Sequence, residues 1–159
     1  MDERDVCYGR HSSEAIIMPY YGLGTKEEIL KDIDTQLNTI DGIKFVDYQR
    51  VLASGIGPEK YPGSFINDVS TDKERLLKDL YRNVFGCSLV NWVWATVEEK
   101  LATKMNAFEV IVRGKIMADP TRGNKAYDTV IENISTDGGS RHPQGMMIIN
   151  TAIVYYSVD

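Results

Sequence analysis

The chain has 159 residues, 43% of them hydrophobic and 26% charged, the balance of a single soluble globular domain. A domain of this size buries roughly two-thirds of its unfolded surface, so one core suffices without a disulfide or a structural metal. The formal net charge of −5, from 18 basic and 23 acidic residues, argues against a wide phosphate-binding surface, which requires clustered Lys and Arg.

No apolar run approaches the ~20 residues of a membrane span, and the acidic start Met1-Asp2-Glu3-Arg4-Asp5 has the wrong charge for a signal peptide. Residues 1–24 mix charge, aromatics and glycine without a sustained period. They read as an N-terminal arm or leader, with Ala15-Ile16-Ile17-Met18 as a short apolar patch. The remainder, 25–159, reads as one domain.

Its first element opens at Thr25, which stands three residues before Glu28 in the spacing of a capping box. Ile29, Leu30, Ile33, Leu37 and Ile40 repeat at helical intervals, and Asp41-Gly42 supplies a left-handed stop. Ile43 to Leu52 is β-branched and aromatic and reads as a strand. A Gly/Pro-rich loop occupies 54–63, and Ser64 to Val69 suggests a short second strand. In 70–83, Leu76, Leu77, Leu80 and Val84 fit a helix, the favoured reading; the density of charge also suits a long projecting β-arm. Val84 to Thr96 is a nearly unbroken apolar strand. A second capping box, Thr96 with Glu99, opens a long helix whose stripe is Leu101, Met105, Phe108, Val112 and Ile116. Pro120 ends it by disfavouring helical geometry at Asp119. Thr121 to Asn124 turns the chain, Ala126 to Ser135 reads as a strand, and Met146 to Tyr156 as a covered one. The order implies an α+β domain in which two helices cover one face of a mostly antiparallel sheet.

Groups of catalytic type are scattered. His11 and His142 are the only histidines and neither has companions at metal-ligand spacing, whereas zinc needs three or four converging ligands. Gly55-Ile56-Gly57 lacks the Gly-Lys-Ser/Thr ending of a phosphate loop. Asp68 with Asp72, or Asp128 with Glu132, are carboxylate pairs that acid/base work or a divalent ion would use, but each fits a solvated turn or strand face. No serine has a nucleophile-elbow context. Cys7 and Cys87 lack the close spacing of a zinc knuckle or redox pair and read as free thiols of a reducing compartment. Trp92 and Trp94 share one strand face; they suit the core or a subunit contact better than stacking on a base or sugar. No catalytic residue, cofactor or metal is expected.

One feature exceeds packing. At about 100° per residue, Thr103, Ala107, Val110, Gly114 and Met117 fall together on the long helix, opposite the Leu101–Ile116 stripe. An exposed helix face usually carries charge, and an interior glycine costs up to ~1 kcal/mol relative to Ala. Ala107, Val110, Gly114 and Met117, with Trp92 and Trp94, are the candidate subunit interface.

Several short stretches carry a resemblance. Leu37-Asn38-Thr39-Ile40-Asp41-Gly42-Ile43, Tyr61-Pro62-Gly63-Ser64-Phe65-Ile66, the long helix closing on Asp119-Pro120, Ile131-Glu132-Asn133-Ile134-Ser135-Thr136-Asp137-Gly138-Gly139 and the strand ending in Tyr155-Tyr156 are together similar to phage tail-terminator or tail-completion proteins, over roughly residues 27–157. The resemblance implies a virion protein made in the host cytoplasm. Such proteins form a ring, commonly hexameric, that caps the tail tube and meets head-completion (neck) proteins. The 70–83 segment has no clear counterpart in that resemblance; its cations, Lys73, Arg75, Lys78 and Arg82, are the candidate contacts with tube or neck. Two other readings stay open: another head–tail connector ring, and a small ligand-binding or enzymatic domain using the 54–68 loop with Asp68. The partners expected are copies of the chain, the tube protein and a head-completion or stopper protein, with no membrane and no specific nucleic acid.

Overall fold

A computed structural model of the protein describes residues 22–48, 55–96 and 100–158. The leader up to residue 21, with its apolar patch, Cys7 and His11, lies outside the described residues, as do 49–52 of the first expected strand and Glu99.

Helix α1, Lys26–Asn38, begins as its sequence dictates. Thr25 Oγ1 accepts from the Glu28 amide at 3.2 Å while Glu28 Oε2 accepts from the Thr25 amide at 2.9 Å. That backbone donation holds the Glu28 carboxyl below its ordinary range. Ile29, Ile33 and Leu37 form its buried ridge, and Gly42, at φ 81°, makes the turn that follows.

Among the described residues, five strands form one sheet in the order β1-β2-β3-β5-β4. β1 is Phe45–Tyr48, β2 Gly63–Arg75, β3 Leu80–Trp94, β4 Asp128–Thr136 and β5 Gln144–Val158. Only β1 and β2 run parallel; the other neighbours are antiparallel. β3 and β5 pair without a break from Leu80↔Val158 to Trp94↔Gln144. Their alternating burial is the period-2 signature of a pleated strand. β2 and β4 each carry a register shift, at Asp68/Ser70 and at Ile131/Asn133.

Residues 70–83 correct the helical expectation. They form the end of β2, a four-residue loop, 76–79, and the start of β3, as a long hairpin whose ladder runs to Arg75↔Tyr81. Local helical spacing loses because β3 gains a partner along each edge, and Phe85, Cys87 and Leu89 then alternate into the core. From Asp68 onward every residue of β2 is exposed, while β3 stays flanked by β5 with Asn83 buried, so the hairpin is an arm open to solvent along its β2 side and at its loop.

Helix α2, Leu101–Ala118, is the long helix, but its N-cap is Lys100 and no side chain caps it. The expected cap at Thr96 therefore sits ahead of the helix. Leu101, Met105, Phe108, Val112 and Ile116 are buried. Gly145 lies tight beneath α2: a Cβ there would lie 2.6 Å from Met105 sulfur, so the Met105 and Leu101 side chains would have to shift.

Both helices cover the same sheet face, joined in one core with Ile66, Phe85, Leu89, Val93, Met147, Ile149 and Ile153. A smaller cluster lies on the opposite face: Tyr61, Phe65, Val90 and Trp92, with Phe45, Ile56, Trp94, Met146 and Ile148 around them. Where β5 runs past the start of β4, its free edge is paired by residues 22–24: Gly24 N donates to Tyr156 O and Tyr156 N to Gly22 O.

Candidate interaction site

The groups considered for chemistry are held apart. His142 is exposed on the β4–β5 connection, beside a shallow hollow of about 290 Å³ shared with Leu101, Met105 and Gly139. Asp68 is ion-paired with Lys26, whereas Asp72 stands exposed on the arm. Asp128 Oδ1 accepts from the next amide, Thr129 N, at 2.8 Å, and Glu132 faces solvent at the β4 bulge. Gly57 precedes a single 3-10 turn, Pro58–Lys60, too short to present a helix N-terminus to phosphate. The Cys87 thiol is free and buried; desolvation, helped by the Asp68 charge, pushes its pKa up to about 12. Among the described residues no three His, Cys, Asp or Glu are grouped to hold a metal ion, and no helix is long and apolar enough to cross a membrane.

The outer face of α2 is different. Val110, Ile111 and Met117 are 54%, 46% and 41% exposed; Thr103, Ala107 and Gly114 are exposed among them. At about 100° per residue Thr103, Ala107, Val110, Gly114 and Met117 gather opposite the buried ridge, Ile111 stands on the flank next to Lys104, and the charges of the helix lie on its flanks. Two flank charges are paired with each other, Arg113 Nε to Glu109 at 2.9 Å. Lys104 Nζ donates to the Trp94 carbonyl at 2.9 Å. A Cβ on Gly114 would meet nothing within 4 Å, so among the described residues nothing requires a glycine there.

This face runs into a cleft of about 650 Å³ at the end of the sheet where β3 stops. Ile40, Val93, Trp94, Phe108, Ala107 and Ile111 give it apolar walls, with Asp41 and Glu59 among its lining. Tyr61 braces one side, its ring 5.6 Å from Trp94 and its hydroxyl accepting from Gln144 Nε2 at 2.9 Å. Trp94 thus joins the outer surface. Trp92 does not: at 1% exposure it packs inside the subunit, with Arg141 against its ring.

At the other end of β3, the arm carries the four cations singled out in the sequence. Lys73 Nζ lies 4.0 Å from the centre of the Tyr81 ring. Arg75 donates to the carbonyls of Leu77 and Lys78 at 3.2 and 2.9 Å and braces the loop. Arg82 lies 3.7 Å from Glu74. Leu76 and Leu77, 43% and 67% exposed, occupy the tip.

A buried cation went unforeseen. Arg122, in the turn after α2 with φ 51°, is 1% exposed. It reaches Thr129 Oγ1 at 3.3 Å and Asp32 Oδ2 at 3.4 Å, tying α1 to β4, while its Nη2 is buried without a partner. Desolvation lowers its pKa, opposed by Asp32 and Asp119. Thr-Arg-Gly-Asn reads as a solvated turn, and only its tertiary setting buries the arginine.

No protein-family model matches the chain, and no curated protein matches its sequence.

Proposed function

We propose that this protein is a structural assembly subunit whose copies form a ring that caps a phage tail tube and offers a face to the head-completion proteins, with no catalytic role. The observation that carries the reading is the outer face of α2, where Val110, Ile111 and Met117 are exposed around a glycine that none of the described residues requires. Contiguous exposed apolar surface marks interaction sites, and a helix glycine with open space above it suits close approach by another backbone. The resemblance of several short stretches to tail-terminator proteins supplies the kind of assembly. The hairpin arm supplies a solvent-open β2 side and loop, suited to contact with tube or neck through Lys73, Arg75, Lys78 and Arg82. Another connector ring would use the same surfaces. A small-ligand role for the 54–68 segment has less support, since Asp68 is ion-paired with Lys26 and does not line the cleft.

Negative-stain microscopy of the purified protein, alone and mixed with tail tubes, tests the proposal. Rings seated on tube ends are expected. Monomers scattered along tube walls, with bare ends, would reject it.

A further inference from the structure

Among the described residues, two exposed apolar features stand at opposite ends of β3. One is the arm tip, where Leu76 and Leu77 are exposed in a loop that would ordinarily hold Gly, Asn, Asp or Ser. The other is the cleft of about 650 Å³ at the Trp94 end, ample for two leucine side chains. At about 3.3 Å per residue, the fifteen residues of β3 separate them by roughly 45 Å. A subunit cannot fill its own cleft with its own tip.

We infer that the arm tip of one copy inserts into the cleft of the next, with Leu76 and Leu77 against Trp94, Phe108 and Ile111. This rests on the reading that copies of the chain assemble with one another, and names the contact. The charges fit it. Residues 75–79 carry two cations, Arg75 and Lys78, against one carboxylate, Asp79. Arg75 is engaged by the loop's own carbonyls, whereas Lys78 has no ion-pair partner among the described residues. At the cleft, Asp41 and Glu59 likewise have none there, and Lys104 is turned to the Trp94 carbonyl. An ammonium beside an apolar tip thus meets two carboxylates beside an apolar hollow. Because tip and cleft are different surfaces, each copy gives one contact and receives one, and the contact repeats head to tail.

The test is site-directed cross-linking of the full chain in a Cys7→Ser background, leaving the buried Cys87 in place. Leu77→Cys and Ile111→Cys are made singly and together, at positions whose exposure makes the changes tolerable, and treated with a short bismaleimide. The double variant is expected to give a ladder of covalent multimers, and an equal mixture of the two single variants to stop at dimers. Each single variant alone should stay unlinked. Lys78→Glu should weaken the ladder and Asp41→Lys should restore it. Particle size without cross-linker is followed by ultracentrifugation and microscopy. Rings that form without a Leu77–Ile111 link would overturn the arm-in-cleft contact and leave the ring reading intact. Dimers from Ile111→Cys alone would replace it with a symmetric helix-to-helix contact. A protein that stays monomeric even on tail tubes would overturn both.

Discussion

Arg122 holds together parts of the chain that are far apart in sequence. Its guanidinium lies 3.4 Å from Asp32 on α1 and 3.3 Å from Thr129 on β4, at 1% exposure. Removing one member of a buried ion pair strands the other, and here the cost is moderated because Asp32 keeps some contact with solvent. Arg122→Ala should therefore destabilise the domain by about 2–3 kcal/mol. Adding Asp32→Asn should recover part of the loss, so that the two changes are less than additive in a urea-denaturation cycle. Full additivity would show that the pair contributes nothing and that the arginine matters only as volume. Cys87 gives a simpler expectation. A thiol buried in the core with a pKa near 12 stays protonated and inaccessible at neutral pH. Thiol reagents should label it only after denaturation, and reductant should leave the melting temperature unchanged. Labelling at native rates would mean that the core around β3 opens readily. Asp119 accepts from Thr121 N at 3.0 Å, Thr121 Oγ1 at 2.6 Å and Gly123 N at 2.7 Å. The Thr121 and Gly123 hydrogen bonds hold its pKa below the ordinary carboxylate value. A depressed folded-state pKa gives stability that is present above the unfolded-state pKa, near ~4, and lost as pH falls through the folded value. Asp119→Ala should cost about 1 kcal/mol at neutral pH, discounted for solvent screening. The gap from wild type should close in acid; a pH-independent gap would assign the loss to the turn's geometry alone.

Among the elements, α2 offers the sharpest contrast, because its two faces call for opposite outcomes. Gly114→Gln replaces a poor helix former where a side chain would meet open space. It should raise monomer stability by about 0.5 kcal/mol yet block assembly or tube capping. Phe108→Asp, at a position 5% exposed, should unfold the domain by placing an unpaired charge in the core. Normal assembly by Gly114→Gln would remove this face from the interface. The same element shows what could be read in advance. Leu101, Met105, Phe108, Val112 and Ile116 declare a buried ridge by spacing alone, and Thr25 with Glu28 declares the start of α1 by cap chemistry. Both are interactions within a few residues. The arm could be read only as the second choice for 70–83, because its stability comes from β2 pairing with β3 and β3 with β5, contacts to which the helical spacing of Leu76, Leu77 and Leu80 gives no local clue. Arg122 was hidden for the same reason: Asp32 lies ninety positions away. The cleft combines α1's end, the Pro58–Lys60 turn, β3 and α2, and no single stretch announces it. The outer stripe of α2 could be seen as a pattern, but Ile111 joined it only once the cleft was visible.

For the whole molecule, the relevant question is how subunits stop adding. Head-to-tail contacts either close by rotation or grow into open filaments. If the contacts proposed here close, sedimentation across a concentration series should show the monomer giving way to one larger species of fixed mass. A mass that keeps rising with concentration would indicate open growth and reject a ring.

The sheet order has a further meaning for how the chain reaches this state. β5 lies between β3 and β4, yet it follows both in sequence, and its pairs with β3 include Cys87↔Thr151. During synthesis, everything through β4 emerges before the strand that joins the two. Until β5 arrives, the apolar strand β3 has one unpaired edge, and β4 lacks its β5 partner. Such an edge is a template for unwanted pairing, and closure over long sequence separations is slow. The same ladder that makes the finished sheet continuous therefore leaves the nascent chain exposed. Ribosome-bound intermediates ending before Gln144 should be protease-sensitive and chaperone-bound, and those extended past Val158 and clear of the exit tunnel should be resistant.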